Sequence, residues 1–82
     1  MRWFVYMLRC ENSTLYTGVT TDVDRRFREH RAGAGGRFTR ANRPVALVYR
    51  ESCLTEREAK RREAHIKTWP RQKKLALIDT RR

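Results

Sequence analysis

Apolar residues gather in two short runs at the start of the chain. Residues 2–10 collect Trp3, Phe4, Val5 and Tyr6, and residues 14–20 resume with Leu15, Tyr16 and Val19. Aromatic and β-branched residues in runs of this length predict strands. Glu11-Asn12-Ser13 between them is a turn signal. A hairpin centred near Asn12 puts Tyr6 and Tyr16 on one face, because side chains repeat every two residues along a strand. From Thr21 the period lengthens. Val23, Arg26, Phe27 and His30 fall at i, i+3, i+4 and i+7, which predicts a helix from Thr21 to about Arg31, with Asp24 as a capping-box-like partner. Gly33, Gly35 and Gly36 end it, and a basic loop leads to Pro44. Residues 45–51 read as a third strand. Thr55 and Glu58 form a capping box, with Leu54 placed to staple onto Ala59, so a second helix runs to about Lys67. Trp69-Pro70 restarts a helix whose apolar side is Leu75, Leu77 and Ile78. The order β-β-α-β-α-α predicts an α+β fold: a small three-stranded antiparallel sheet flanked by helices. A chain of 82 residues makes residues 1–82 a single domain with a modest core.

Two helical stripes contain residues that do not belong on an apolar face. The first reads Val, Arg, Phe, His, so Arg26 and His30 lie beside the side that must meet the sheet. An inward arginine must find partners or an anion. The second stripe is Ala59, Glu63 and Ile66, an acid set between apolar residues on a strongly basic helix. Each residue alone has a bland account. Strand tyrosines are commonly core, Arg26 can lay its stem over apolar surface, His30 suits a helix C-terminus, and Glu63 can pair with a nearby lysine or arginine. Five such groups, from two strands and two helices and aimed at one sheet face, point instead to a site.

Charge narrows the partner. Twenty Lys and Arg stand against nine Asp and Glu, a net charge of +11. That excess favours a polyanion, most often nucleic acid. The loop over 31–43 carries Arg31, Arg37, Arg40 and Arg43 with the aromatic Phe38. It reads either as a flexible surface loop or as a phosphate-tracking arm. Lys73, Lys74, Arg81 and Arg82 extend the basic surface. No segment approaches the ~18 apolar residues of a membrane span. Cys10 and Cys53 allow one pair at most and have no metal-ligand spacing, so they read as reduced thiols of a cytoplasmic protein.

Taken in order, Phe4-Val5-Tyr6, Tyr16-Thr17-Gly18, Arg26, His30 and Glu63 resemble the GIY-YIG nuclease pattern, and the length resembles its small stand-alone members. Phe4 stands where the first motif has glycine, and Thr17 where the second has isoleucine. The resemblance implies metal-assisted hydrolysis of a DNA phosphodiester. Glu63 would hold one Mg²⁺ or Mn²⁺ with waters completing the shell, and Arg26 would neutralise charge on the phosphate. A tyrosine, Tyr6 before Tyr16, would position or activate the attacking water, its pKa brought down from about 10 by Arg26 and the metal. His30 would share the base role or hydrogen-bond a tyrosine. Flaps, branched junctions, nicked duplex and RNA all stay open as substrates. Two other classes compete with the nuclease: a nucleic-acid-binding module that keeps the fold without the chemistry, and a small basic structural protein in which the tyrosines are only core.

Overall fold

The computed structural model describes residues 1–80. Its sheet has the order β2-β1-β3, with β1 (Trp3–Cys10) between β2 (Leu15–Thr20) and β3 (Pro44–Cys53), both antiparallel to it. Tyr6 faces Gly18 and Leu8 faces Tyr16, so the hairpin is centred on Asn12 as the spacing predicts. Central position buries β1 on both faces. Val5, Met7 and Leu8 have no exposed surface and Tyr6 has 1%.

The helices divide between the two faces. α1 (Val23–Arg31) lies on the face carrying Tyr6 and Leu8, packing Val23 and Phe27 against them. α3 (Glu56–Lys67) and α4 (Arg71–Asp79) lie on the other face, where Ala59, Ile66, Trp69, Leu77 and Ile78 cover Val5 and Met7. The stripe of α1 is as predicted, with Val23 and His30 buried and Arg26 and Phe27 half-buried.

The expected element order holds, with one addition. Residues 37–41 form a short helix, α2 (Arg37–Ala41), inside the stretch read as loop. Local sequence gives no apolar period there. The helix is held by what surrounds it: Asn42 donates to the Phe38 carbonyl at its end, and Thr39 is buried beneath it. Capping differs in detail. Asp22, not Thr21, caps α1 by accepting from the Arg25 N–H at 3.0 Å, while Asp24 pairs with Arg50 on β3 at 3.1 Å. Thr55 caps α3 through the Glu58 N–H, but Leu54 is 69% exposed and the expected staple onto Ala59 does not form. Pro70 stands one residue before the first turn of α4. Gly33 adopts φ 86° just past α1, a conformation that ends a helix cheaply only for glycine.

Candidate active site

β1 and β2 supply the two tyrosines, and α1 brings its polar stripe down onto them. The Tyr6 hydroxyl lies 2.8 Å from His30 Nε2, and the other ring nitrogen, Nδ1, lies 2.7 Å from Thr39 Oγ1. His30 is 1% exposed and both of its nitrogens are satisfied. Tyr16 closes the group edge-on to the imidazole, with ring centroids 5.0 Å apart, and Phe38 stacks on its outer side at 5.8 Å. Arg26, at the half-buried rim, donates to Glu29 Oε1 and to the Gly35 carbonyl, each at 3.0 Å.

Two glycines make room for this cluster. A β-carbon on Gly35 would stand 2.0 Å from His30 Nδ1, so only glycine lets the backbone lie against the imidazole. Gly18 does the same for the Tyr6 ring. Here the missing volume matters, since neither residue has positive φ.

Burial decides the protonation states. It pushes the Tyr6 phenol above its ordinary value, and Tyr16 adds to the rise. Arg26 pulls the other way, as expected from its charge, but does not reverse the sign. Of the two influences expected to depress the phenol, Arg26 acts in the expected direction and burial outweighs it; the sequence shows the cation beside Tyr6 and not the depth at which the phenol is buried. Burial also lowers His30 to about 4, helped by Arg26 and opposed by Glu29. The pair is neutral at pH 7.

Glu63 reaches this cluster by another route than expected. It belongs to α3, whose apolar residues pack on the opposite sheet face, so the five groups do not share one face. It is nonetheless close enough for its charge to raise the Tyr6 pKa. α3 packs mainly against β1 and the edge strand β2, and Tyr6 leans across β2 at Gly18. The carboxylate is 20% exposed and pairs with Lys67 at 3.4 Å. Among the described residues no three His, Cys, Asp or Glu converge as metal ligands. A single half-buried carboxylate fits a hydrated Mg²⁺ or Mn²⁺, which keeps most of its waters, and does not fit an all-protein cage.

Of the basic residues, Arg31, Arg37, Arg40 and Arg43 are exposed. Arg31, Arg40 and Arg43 border a pocket whose lining also includes His30 and Thr39. Lys73 and Lys74 belong to α4, on the face away from the tyrosines, and the Lys73 ammonium sits 4.3 Å from the centroid of Trp69. Arg81 and Arg82 lie outside the described residues. Thr39 escaped the sequence reading, and Phe38 was read only as part of the basic loop, not as a partner of Tyr16. Both ride on α2, and a lone threonine among arginines carries no periodic signal.

The cluster sits on a β2-β1-β3 sheet in a chain that matches a catalytic domain of known type. The model of the GIY-YIG catalytic domain matches residues 2–76, and the chain belongs to that family. Within it, the relatives are UPF0213 proteins. One from Staphylococcus haemolyticus is 47% identical over 78 residues, covering 95% of each chain. One from Desulfotalea psychrophila is 49% identical over 77 residues, covering 93% of this chain and 70% of that one. The solution NMR structure of a UPF0213 protein from Bacillus halodurans superposes with a TM-score of 0.62 at 40% identity, covering 98% of this chain and 85% of the other.

Proposed function

We propose that this chain is a metal-dependent endonuclease that hydrolyses a phosphodiester bond of DNA and selects structure rather than sequence. The observation that carries the reading is the Tyr6–His30 hydrogen bond, flanked by Arg26 and within electrostatic reach of Glu63, in a chain of a catalytic-domain family. A net charge of +11 suits a polyanionic substrate. Weak sequence selectivity is expected because the two longer helices nearest the cluster are packed on the sheet. α1 buries Val23 and His30 against the sheet, and α3 buries Ala59 and Ile66.

In this reading Tyr6 and His30 act as one base. With Nδ1–H donating to Thr39, Nε2 is the acceptor and receives the Tyr6 proton. The phenol oxygen takes a proton from the attacking water as its own proton passes to Nε2, so the new P–O bond forms while His30 becomes an imidazolium. When the bond to the leaving oxygen breaks, that oxygen takes up a proton from solvent and His30 returns its own to solvent. Thr39 and Gly35 hold the imidazole in the orientation this requires. Arg26 has five N–H donors, and its bonds to Glu29 and Gly35 fix the guanidinium plane while leaving donors for a phosphate oxygen. Tyr16 packs edge-on against the imidazole. Glu63 is the residue that would hold Mg²⁺ or Mn²⁺, which when bound supplies Lewis-acid stabilisation of the leaving oxygen. Cys10 and Cys53 are free thiols, which suits a cytoplasmic setting.

A second reading has one observation in its favour. Tyr6 is 1% exposed and holds its proton more tightly than an ordinary phenol. A module that binds nucleic acid without cleaving it tolerates that burial. The test is to incubate purified protein with linear, nicked, flapped and branched DNA and with RNA, in Mg²⁺, Mn²⁺ or EDTA. Cleavage with metal and none with EDTA supports the nuclease. Binding without cleavage across the whole panel overturns it in favour of the module.

A further inference from the structure

On the side of His30 away from Tyr6 the surface opens into a pocket of about 280 Å³. Its inner wall is the His30–Thr39 pair, and Arg31, Arg40 and Arg43 stand around its mouth with Glu11. None of the three arginines makes an ion pair among the described residues, whereas Arg25, Arg26, Arg50 and Arg62 all do. Three guanidinium charges against one carboxylate leave the pocket strongly positive. The end of α1 contributes partial negative charge, about half an elementary charge, which three full charges outweigh. The walls are tied together. The Glu11 N–H donates to the Arg43 carbonyl at 2.8 Å, and the Arg31 guanidinium rests 5.8 Å from the Phe27 ring centroid.

We propose that this pocket is a phosphate subsite, distinct from the cleavage centre and on the Thr39 side of His30, which takes the phosphate adjacent to the scissile one on the same strand. Its place on the strand rests on the nuclease reading above; its affinity for phosphate does not. Arginine suits this role because its planar fork meets two phosphate oxygens at once. A phosphate seated there fixes the strand on both sides of His30, so that the scissile group is presented to Tyr6 and Arg26 in one register. Arg57, exposed on α3 and outside the pocket lining, serves as an internal control.

The first arm titrates the protein with inorganic phosphate against a chloride control of equal ionic strength, following arginine side-chain and His30 ring resonances by NMR. Saturable shifts are expected at Arg31, Arg40, Arg43 and His30. The Arg40→Gln/Arg43→Gln variant should bind about tenfold more weakly, while Arg57→Gln binds as the parent does. Exposed arginines carry little packing, so the variants should fold. If either fails to, Arg40→Lys/Arg43→Lys keeps the charge without the fork and should show a weakened site. The second arm uses oligonucleotides with and without a 5′-phosphate, and a series with one neutral methylphosphonate moved along the strand. One internal position should weaken binding to the parent and have no effect in the double variant. An effect confined to the 5′-phosphate would move the subsite to a strand end and overturn the adjacent-phosphate assignment. Unsaturable shifts, or shifts unchanged in the double variant, overturn the pocket altogether, even in a protein that cleaves DNA. Conversely, saturable phosphate binding by a protein that cleaves nothing in the panel overturns the nuclease and leaves the pocket standing.

Discussion

The Tyr6 ring crosses Gly18 so closely that a β-carbon on Gly18 would stand 2.6 Å from the phenol oxygen. The two residues face each other across β1 and β2, and the space that Gly18 leaves empty is the space the phenol occupies. Gly18→Ala therefore has to tilt Tyr6 away from His30. Overpacking of this kind costs about 1–3 kcal/mol. The expected result is a lower melting temperature, loss of the Tyr6–His30 hydrogen bond in the NMR spectrum and loss of cleavage. An alanine variant with parental stability and an intact hydrogen bond would contradict this account of the glycine.

Glu63→Gln separates a metal ligand from a structural ion pair. Removing the charge keeps the size of the side chain, and the lost i,i+4 pair with the exposed Lys67 is worth only about 0.3–0.5 kcal/mol. Cleavage should fall by orders of magnitude, while DNA affinity without metal stays equal or rises. A stable variant that binds DNA and cleaves at the parental rate would remove Glu63, and the proposed mechanism with it.

His30 ties stability to pH. Its pKa falls from 6.5 to about 4 on folding, so between these values the unfolded chain holds the extra proton. Stability is then fully present above pH 6.5 and is lost as pH drops toward 4, by about 3 kcal/mol at most. Native carboxylates contribute below about pH 5, so the informative window is roughly pH 5 to 6.5. Urea unfolding should show stability rising with pH across that window, and His30→Gln should flatten the slope. An unchanged slope in the variant would assign the effect elsewhere.

Salt should weaken DNA binding steeply. If about six phosphates are contacted, affinity falls by roughly 10³ between about 50 and 200 mM salt. Replacing the exposed Arg37, Arg40 and Arg43 with alanine should lower both affinity and slope. Parental binding in the triple variant would take the α2 region off the DNA surface.

Thr17 is 3% exposed, and its Oγ1 is buried without a hydrogen-bond partner. It faces Met7 across the hairpin and shares the side of β2 that meets the apolar core under α3. A buried unsatisfied hydroxyl costs about 1–3 kcal/mol. Thr17→Val should raise the melting temperature without changing cleavage, and a less stable valine variant would reveal a partner for the hydroxyl.

Legibility followed periodicity. Spacing about Asn12 was enough to pair Tyr6 with the face of Tyr16, and the 23-26-27-30 stripe located Arg26 and His30. A stripe tells which side of a helix is apolar, but not which side of the sheet receives it. That is why Glu63 was read onto the tyrosine face when α3 packs on the opposite one. α2 was hidden for a related reason: a five-residue helix stabilised by tertiary contacts has no period to read. Phe4, which stands in place of a motif glycine, lies in regular paired strand opposite Thr20 and Ser52 and packs with the Tyr6 cluster. No unusual backbone is needed there.

A strand buried on both faces is also a strand whose length is locked. Along β1 the odd positions Val5 and Met7 serve one tenant and the even positions Tyr6 and Leu8 the other. Inserting one residue ahead of Val5 while the pairing register holds would exchange the tenants, placing a phenol in the apolar layer and a methionine against the imidazole. A substitution along this strand disturbs one position, whereas an insertion or deletion displaces every position after it. Changes of length in such a chain belong at the Asn12 turn or beyond α1, and the eight residues of β1 form the yardstick against which everything else is placed.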